Sequence, residues 1–378
     1  MHLYFHVPFC ARRCSYCDFA IAVRRETPSA AYAEAVLAEW GRRQAEDIWL
    51  ASPLVETVYF GGGTPSRLAP EALARIVARI RVDQPLAPDA EITLEANPDD
   101  VTPERAAAWR AMGVNRVSLG VQSFDPGVLA WMHRTHTAEQ VPAAVAALRT
   151  AGIEELSLDL IFGLPAELGR DWTADLDRAF AFEPEHLSLY GLTVEDHTPL
   201  ARWLAGGRVQ PVAEERYAEE FLTASAAIRA AGFEHYEVSN AARPGHRARH
   251  NSAYWRGAPY LGLGPSAHSF VAGERRWNLR DWAAYQRAIA AGTDIVAGRE
   301  LLDAAARRLE AIYLGLRTID GVPADRLPAA ELDRWLAAGW AEPATPRAGG
   351  PVASPSARPP VRLTPEGWLR LDALVAAT

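Results

Sequence analysis

The sequence predicts an α/β protein whose strands and helices alternate through its first half and whose last third is mostly helical. Short apolar runs recur at residues 3–8, 55–61, 91–97, 116–122, 156–162 and 186–192. Stretches with helical spacing lie between them, at 31–43, 70–82, 103–112, 138–151 and 172–182. Turn residues mark the joints: Gly113 and Gly152 close two helices as left-handed caps, and Thr102-Pro103-Glu104 opens one with a capping hydroxyl and proline in the first turn. Strands that alternate with helices imply parallel βαβ units, and six of them form either an open sheet or a partial barrel.

Beyond residue 194 the pattern changes. A long helix is expected at 214–231 and a short strand at 233–238, followed by a loop rich in Arg, His and aromatic residues to about residue 269. A further helix is expected at 299–317. Residues 343–360, rich in Pro, Ala, Gly and Ser, suggest a flexible excursion before Thr364-Pro365-Glu366 starts a last helix. The expected division is 1–240, a barrel with a cluster; 241–298, a loop region and connection; and 299–378, a small C-terminal domain.

Composition narrows the function. With 378 residues, 49% of them hydrophobic, the chain can bury a sizeable core, and a net charge of −8 argues against binding nucleic acid or anionic membranes by bulk charge. All basic residues are arginine, which excludes a P-loop lysine and a Schiff-base lysine. No apolar run reaches the roughly 18 residues of a membrane span and no secretory leader is evident, so a cytoplasmic location is expected.

The strand ends carry the chemistry. The stretches 61–65, 95–98, 122–124, 159–165 and 193–196 all lie at or just beyond C-terminal strand ends, the face that carries active sites in barrel folds. The chain's three cysteines, Cys10, Cys14 and Cys17, follow the first strand. An odd, clustered set points to a metal site in a reducing compartment rather than to disulfides. Thiolates suit iron–sulfur clusters or zinc; a structural zinc needs a fourth protein ligand, for which His6 is the candidate. A cubane on three thiolates leaves one iron open to a substrate ligand, whereas a fourth cysteine would make an electron-transfer centre.

Cys10-x-x-x-Cys14-x-Tyr16-Cys17 resembles the signature of the radical S-adenosylmethionine (SAM) superfamily. Nearly the whole chain resembles the anaerobic coproporphyrinogen oxidase family. The likeness lies in Tyr4-x-His6-x-Pro8-Phe9-Cys10, Gly61-Gly62-Gly63-Thr64-Pro65, Gly120-Val121-Gln122-Ser123-Phe124, Asp159-Leu160-Ile161-Phe162-Gly163-Leu164-Pro165, Gly262-Leu263-Gly264-Pro265-Ser266-Ala267 and Leu314-Gly315-Leu316-Arg317. The resemblance implies a partial (β/α)6 TIM-type barrel with a mostly helical C-terminal extension and a [4Fe-4S] cluster on Cys10, Cys14 and Cys17. It also implies SAM bound through the open iron and split reductively to methionine and a 5′-deoxyadenosyl radical. Gly62, Gly63 and Thr64 are then expected beside the methionine part. Glu95 would take ribose hydroxyls or the amino group, and Gln122, Arg134 and Asp159 would make further contacts. Tyr4 and Tyr16 are expected near the cluster and adenosine. No catalytic side chain is assigned.

Within that family the chain departs from the oxidases. They carry another cysteine two residues after the third ligand, where this chain has Phe19, and they have an extension before the first strand. Both departures resemble the HemW-like haem-chaperone branch, as does His250-Asn251-Ser252-Ala253-Tyr254-Trp255, which matches an HNxxYW motif. The resemblance implies haem bound at His250, Tyr254 and Trp255, with His250 the candidate iron ligand and His235, His246 and His268 its competitors. Physically, imidazole ligates haem iron, the two rings offer flat apolar surface, and Arg243, Arg247, Arg249 and Arg256 could pair with propionates. Haem-accepting proteins are the expected partners, respiratory enzymes or an iron-storage protein by resemblance alone; monomer and homodimer both remain open. The alternative function is oxygen-independent coproporphyrinogen III oxidation in porphyrin biosynthesis.

Overall fold

The computed structural model describes residues 1–44, 46, 54–344 and 359–378. Six strands run parallel in sequence order: β1 (His2–Val7), β2 (Val55–Gly62), β3 (Leu86–Ala96), β4 (Arg116–Gln122), β5 (Glu155–Phe162) and β6 (His186–Gly191). Beyond β6 the sheet continues with β7 (Glu234–Glu237) and β8 (Asn240–Ala242), of which β8 pairs antiparallel with β6. Beyond β1 it continues with β9 (Tyr260–Leu263), parallel to β1, and then antiparallel β10 (His268–Val271), β11 (Glu274–Asn278) and β12 (Val296–Leu301). The fold is a partial (β/α)6 barrel with a mostly helical C-terminal extension.

Strand alternation separates two environments, because successive side chains point to opposite faces. Leu3, Phe5, Val58, Phe60, Ile92, Leu94, Val117, Leu119, Leu156, Leu158, Leu187 and Leu189 are buried in one cluster with Trp40, Leu73, Ile76, Trp109, Leu148 and Leu176 of the surrounding helices. The intervening positions are polar: His2, Tyr4 and His6; Thr57 and Tyr59; Glu91, Thr93 and Glu95; Arg116 and Ser118; Ser157 and Asp159; His186 and Ser188. Register sets these polar positions side by side, as in His2↔Thr57, Tyr4↔Tyr59, Glu95↔Ser118 and Ser157↔His186. The main apolar core thus lies between sheet and helices, and the barrel lumen is polar.

Local signals placed the helix ends well. Thr102 Oγ1 accepts from the Arg105 N–H at 3.2 Å, and Gly113 takes φ 107° at the cap of Pro103–Met112. The stretch read as a loop to residue 269 is instead regular, holding β8, the helix Arg249–Trp255 and β9. That helix has no local cap. Its first N–H groups donate to Glu91 on β3, Arg249 to Oε2 at 2.8 Å and His250 to Oε1 at 2.9 Å. Such a partner, about 160 residues away in sequence, leaves no local trace. The expected excursion at 343–360 falls largely on 345–358, outside the described residues.

Candidate cofactor site

A cavity of about 390 Å³ opens at the C-terminal strand ends, the upper end of the barrel. Cys10, Cys14 and Cys17 line it, together with Tyr16, Gly62, Gly63, Thr64, Glu95, Gln122, Arg134 and Asp159. Six sequence-distant segments therefore converge as expected. Tyr4 does not reach it. Its hydroxyl lies 3.2 Å from His6 Nδ1 and its ring stacks on Tyr59 and His250, which puts it inside the lumen beneath the cavity.

The thiols sit among donors. Thr64 Oγ1 donates to Cys10 Sγ at 3.4 Å, and Arg134 Nη1 lies 3.6 Å from Cys14 Sγ. Burial pushes the Cys17 thiol up to about 12 and raises Cys10, so an unliganded loop keeps these protons; bound iron reverses that logic by holding thiolates. Three soft ligands with a cationic and a hydroxyl donor beside them fit an anionic thiolate cluster.

Backbone geometry shapes the glycine loop. Gly62 has φ 110°, and a Cβ there would stand 2.7 Å from the His6 ring. Gly63 would drive a Cβ to 2.9 Å from the Pro8 backbone. The strand end therefore abuts the cysteine segment only because these side chains are missing.

Two carboxyl groups face the cavity floor. Glu95 Oε1 accepts from Tyr59 Oη at 2.8 Å and Oε2 from the Gly62 N–H at 2.9 Å; burial lifts its pKa to about 7. Asp159 accepts from Ser118 Oγ at 2.8 and 3.0 Å and from Ser157 Oγ at 3.2 Å; burial lifts it to about 6. Arg134 is held by Asn97 Oδ1 at 2.6 Å and Gly120 O at 2.8 Å, while its buried Nε lacks a partner. Gln122, at φ 66°, sits on a register shift in β4 that turns it toward the same space. Sequence reasoning missed Tyr59, Asn97, Ser118 and Ser157. The alternation Thr57–Tyr59–Gly61, polar on the lumen side of an otherwise apolar strand, was the signal that could have found Tyr59.

A family model for the radical SAM superfamily matches residues 4–179. A heme chaperone HemW of Mycobacterium tuberculosis is 40% identical over 332 residues, covering 88% of this chain and 85% of the relative. The chain belongs to the HemW family. The Escherichia coli heme chaperone HemW is 37% identical over 274 residues, covering 72% of this chain and 70% of its own. In structure the chain is similar to coproporphyrinogen III oxidase (HemN) from E. coli, a radical SAM enzyme. The TM-score is 0.79 at 21% identity, over 99% of this chain and 88% of the other, which shows the fold. A radical SAM domain implies a [4Fe-4S] cluster and SAM, and the upper cavity holds the residue types both need.

The HNxxYW segment lies at the opposite, lower end. His250 is 1% exposed. Its Nδ1 is 2.6 Å from Thr57 Oγ1 and its Nε2 is 2.8 Å from the Tyr254 hydroxyl. Burial depresses its pKa to about 3, so the ring is neutral and stacks on Tyr59 at 4.9 Å. His250, the expected haem-iron ligand, thus has both ring nitrogens engaged inside the lumen and does not line the lower cavity. Tyr254 packs edge-on against Tyr260. Trp255 instead lines a lower cavity of about 720 Å³ with Arg247, Arg249 and Arg256, beneath the Arg317 guanidinium at 4.3 Å. Arg247 is paired with Glu234 and Asp320, and Arg249 with Asp89 at 3.0 Å. Arg243 stands apart over Phe233. Among the other candidate histidines, His246 pairs with Glu155, His235 is buried against Ser225, and His268 is exposed beside Trp277. Among the described residues no helix is long and apolar enough to cross a membrane.

Proposed function

We propose that this chain binds haem and hands it to acceptor proteins, with a SAM-bearing [4Fe-4S] cluster in the upper cavity. The observation that carries the reading is the 40% identity to a heme chaperone HemW across most of both chains. Phe19, which is 58% exposed where the resembling oxidases have a cysteine, agrees with it. In this reading Cys10, Cys14 and Cys17 hold the cluster, Thr64 and Arg134 stabilise its thiolates, and Gly62 and Gly63 let backbone approach the methionine part. Glu95, Gln122 and Asp159 orient SAM through hydrogen bonds to its hydroxyl and amino groups, and Tyr16 closes the cavity wall beside the cysteines. Bound there, the reduced cluster supplies an electron for cleaving the sulfonium.

We place haem in the lower cavity, against Trp255 and with propionates toward Arg249 and Arg256, because these residues line it and His250 does not. The acceptors we favour are respiratory enzymes or an iron-storage protein, and the clustered cysteines favour the cytoplasm. The test is transfer: haem-loaded protein mixed with an apo-haem protein should pass haem on, seen as the acceptor's own absorption spectrum growing in. Haem that binds but never leaves would refute the carrier role.

A further inference from the structure

The two cavities are joined through the barrel wall by buried side chains. Ser157 Oγ donates to Asp159 at the upper cavity, and the same oxygen lies 2.8 Å from His186 Nδ1. His186 Nε2 lies 2.9 Å from the Tyr236 hydroxyl, and Tyr236 lines the lower cavity. Tyr236 Oη in turn accepts from the Ala248 N–H at 3.3 Å, and Ala248 is the cap residue of the helix Arg249–Trp255. Ser157, His186 and Tyr236 are each at most 2% exposed.

The proton positions follow from counting. Ser157 Oγ also lies 3.2 Å from Ser188 Oγ; with its one hydrogen given to Asp159, Ser157 accepts from Ser188 and from His186 Nδ1–H. His186 is neutral, since burial holds its pKa well below the usual range, so Nε2 is bare and must accept from Tyr236. Every donor thus points from the helix toward the Asp159 carboxylate. Were Asp159 to donate instead, the chain would reverse, and the Tyr236 hydroxyl would need an acceptor in the lower cavity, because a backbone N–H cannot accept. Only the carboxylate polarity gives every member of the chain a partner seen here, so the state of Asp159 and the Tyr236–Ala248 contact are tied together.

We propose that Ser157, His186 and Tyr236 are positioning residues that couple occupation of the upper cavity to the order of the helix Arg249–Trp255 at the lower one. The step rests on SAM binding beside Asp159 and not on haem. A SAM hydroxyl or ammonium that donates to Asp159 favours its carboxylate form, the polarity in which Tyr236 Oη accepts from the Ala248 N–H, and so steadies the start of the helix through three links. Thermodynamic reciprocity requires that a ligand at the lower cavity alter SAM affinity in turn.

The experiment is hydrogen exchange on the cluster-reconstituted protein with and without SAM. Slowed exchange at residues 62–64 reports that the upper cavity is filled. In the wild type, SAM is expected to slow exchange at residues 248–255 by roughly fivefold or more, the low end of measured couplings. Tyr236→Phe, which removes one oxygen, should abolish that remote protection while leaving SAM affinity near wild type. Ser157→Ala breaks the chain at its other end and should abolish it too, which also covers the case in which one variant fails to fold. SAM that protects 62–64 but leaves 248–255 unchanged in the wild type, or that protects 248–255 equally in either variant, overturns the proposal. Absent protection at 62–64 would instead refute the cofactor assignment on which it stands.

Discussion

The two ends of the barrel treat their polar groups differently. At the upper end, Arg134 Nε has no partner and both Glu95 and Asp159 are held near neutrality by burial, so the site has chemistry to spend on a ligand. At the lower end, His250 has both nitrogens bonded, Glu91 is fully used as a helix cap, and Arg247 is doubly paired. The histidine of the HNxxYW motif is thus bonded within the lumen, while Trp255 lines the lower cavity. In the proposed reading SAM meets the lining of the upper end, and haem meets what the lower helix leaves outside, Arg256 and Trp255, whose buried Nε1 has no partner.

The comparison breaks most sharply at the cysteines. Cys14→Ser should abolish the cluster, read as loss of iron and of the visible absorption, and with it SAM binding. A reconstituted variant with full iron would remove the upper end from this account. Glu95→Gln comes next. Losing charge-assisted hydrogen bonds of about 2 kcal/mol weakens SAM roughly 30-fold, measured by equilibrium binding to the reconstituted protein. Unchanged affinity would mean that Glu95 only ties Tyr59 to Gly62.

His250→Ala tests the lower end. It strips partners from Thr57 and Tyr254 and leaves a cavity, so denaturant unfolding should show a loss of about 2–4 kcal/mol. The haem band of the folded variant should keep its position. A shifted band with unchanged stability would restore His250 as the iron ligand.

The smaller effects concern charge. Glu95 and Asp159 sit above their unfolded values, so the ligand-free folded chain holds protons that the unfolded chain has lost. Their contribution to stability is full below about pH 4 and is lost as pH rises through about 6 and 7. SAM affinity should move the other way over that window, as both groups become better acceptors, and a flat binding profile between pH 5 and 8 would contradict this. Arg249→Ala with Arg256→Ala should weaken haem only several-fold, since exposed pairs contribute about 0–1 kcal/mol each. Iron–sulfur content should stay intact, and equal haem affinity would move the propionates elsewhere.

The sequence announced the upper end because its residues are local punctuation: glycines at strand ends, cysteines in one loop, carboxylates where strands stop. The six barrel strands were legible for the same reason, since apolar alternation is short-range. The polar lumen was only half legible. Tyr59, Ser118 and Ser157 matter through neighbours on other strands, and register is not written in any one of them. The helix Arg249–Trp255 was read as loop because its cap, Glu91, is supplied by β3. Tyr4 and His250, named by motif, make their contacts within the chain inside the lumen, through partners on other strands that no local signal announces.

Titrating haem into the cluster-reconstituted protein, followed by its absorption spectrum, tests the central claim most directly. The account predicts a saturable band at one haem per chain, present equally in His250→Ala and weakened when Trp255 is replaced by alanine. A wild type that shows no saturable haem band would contradict it.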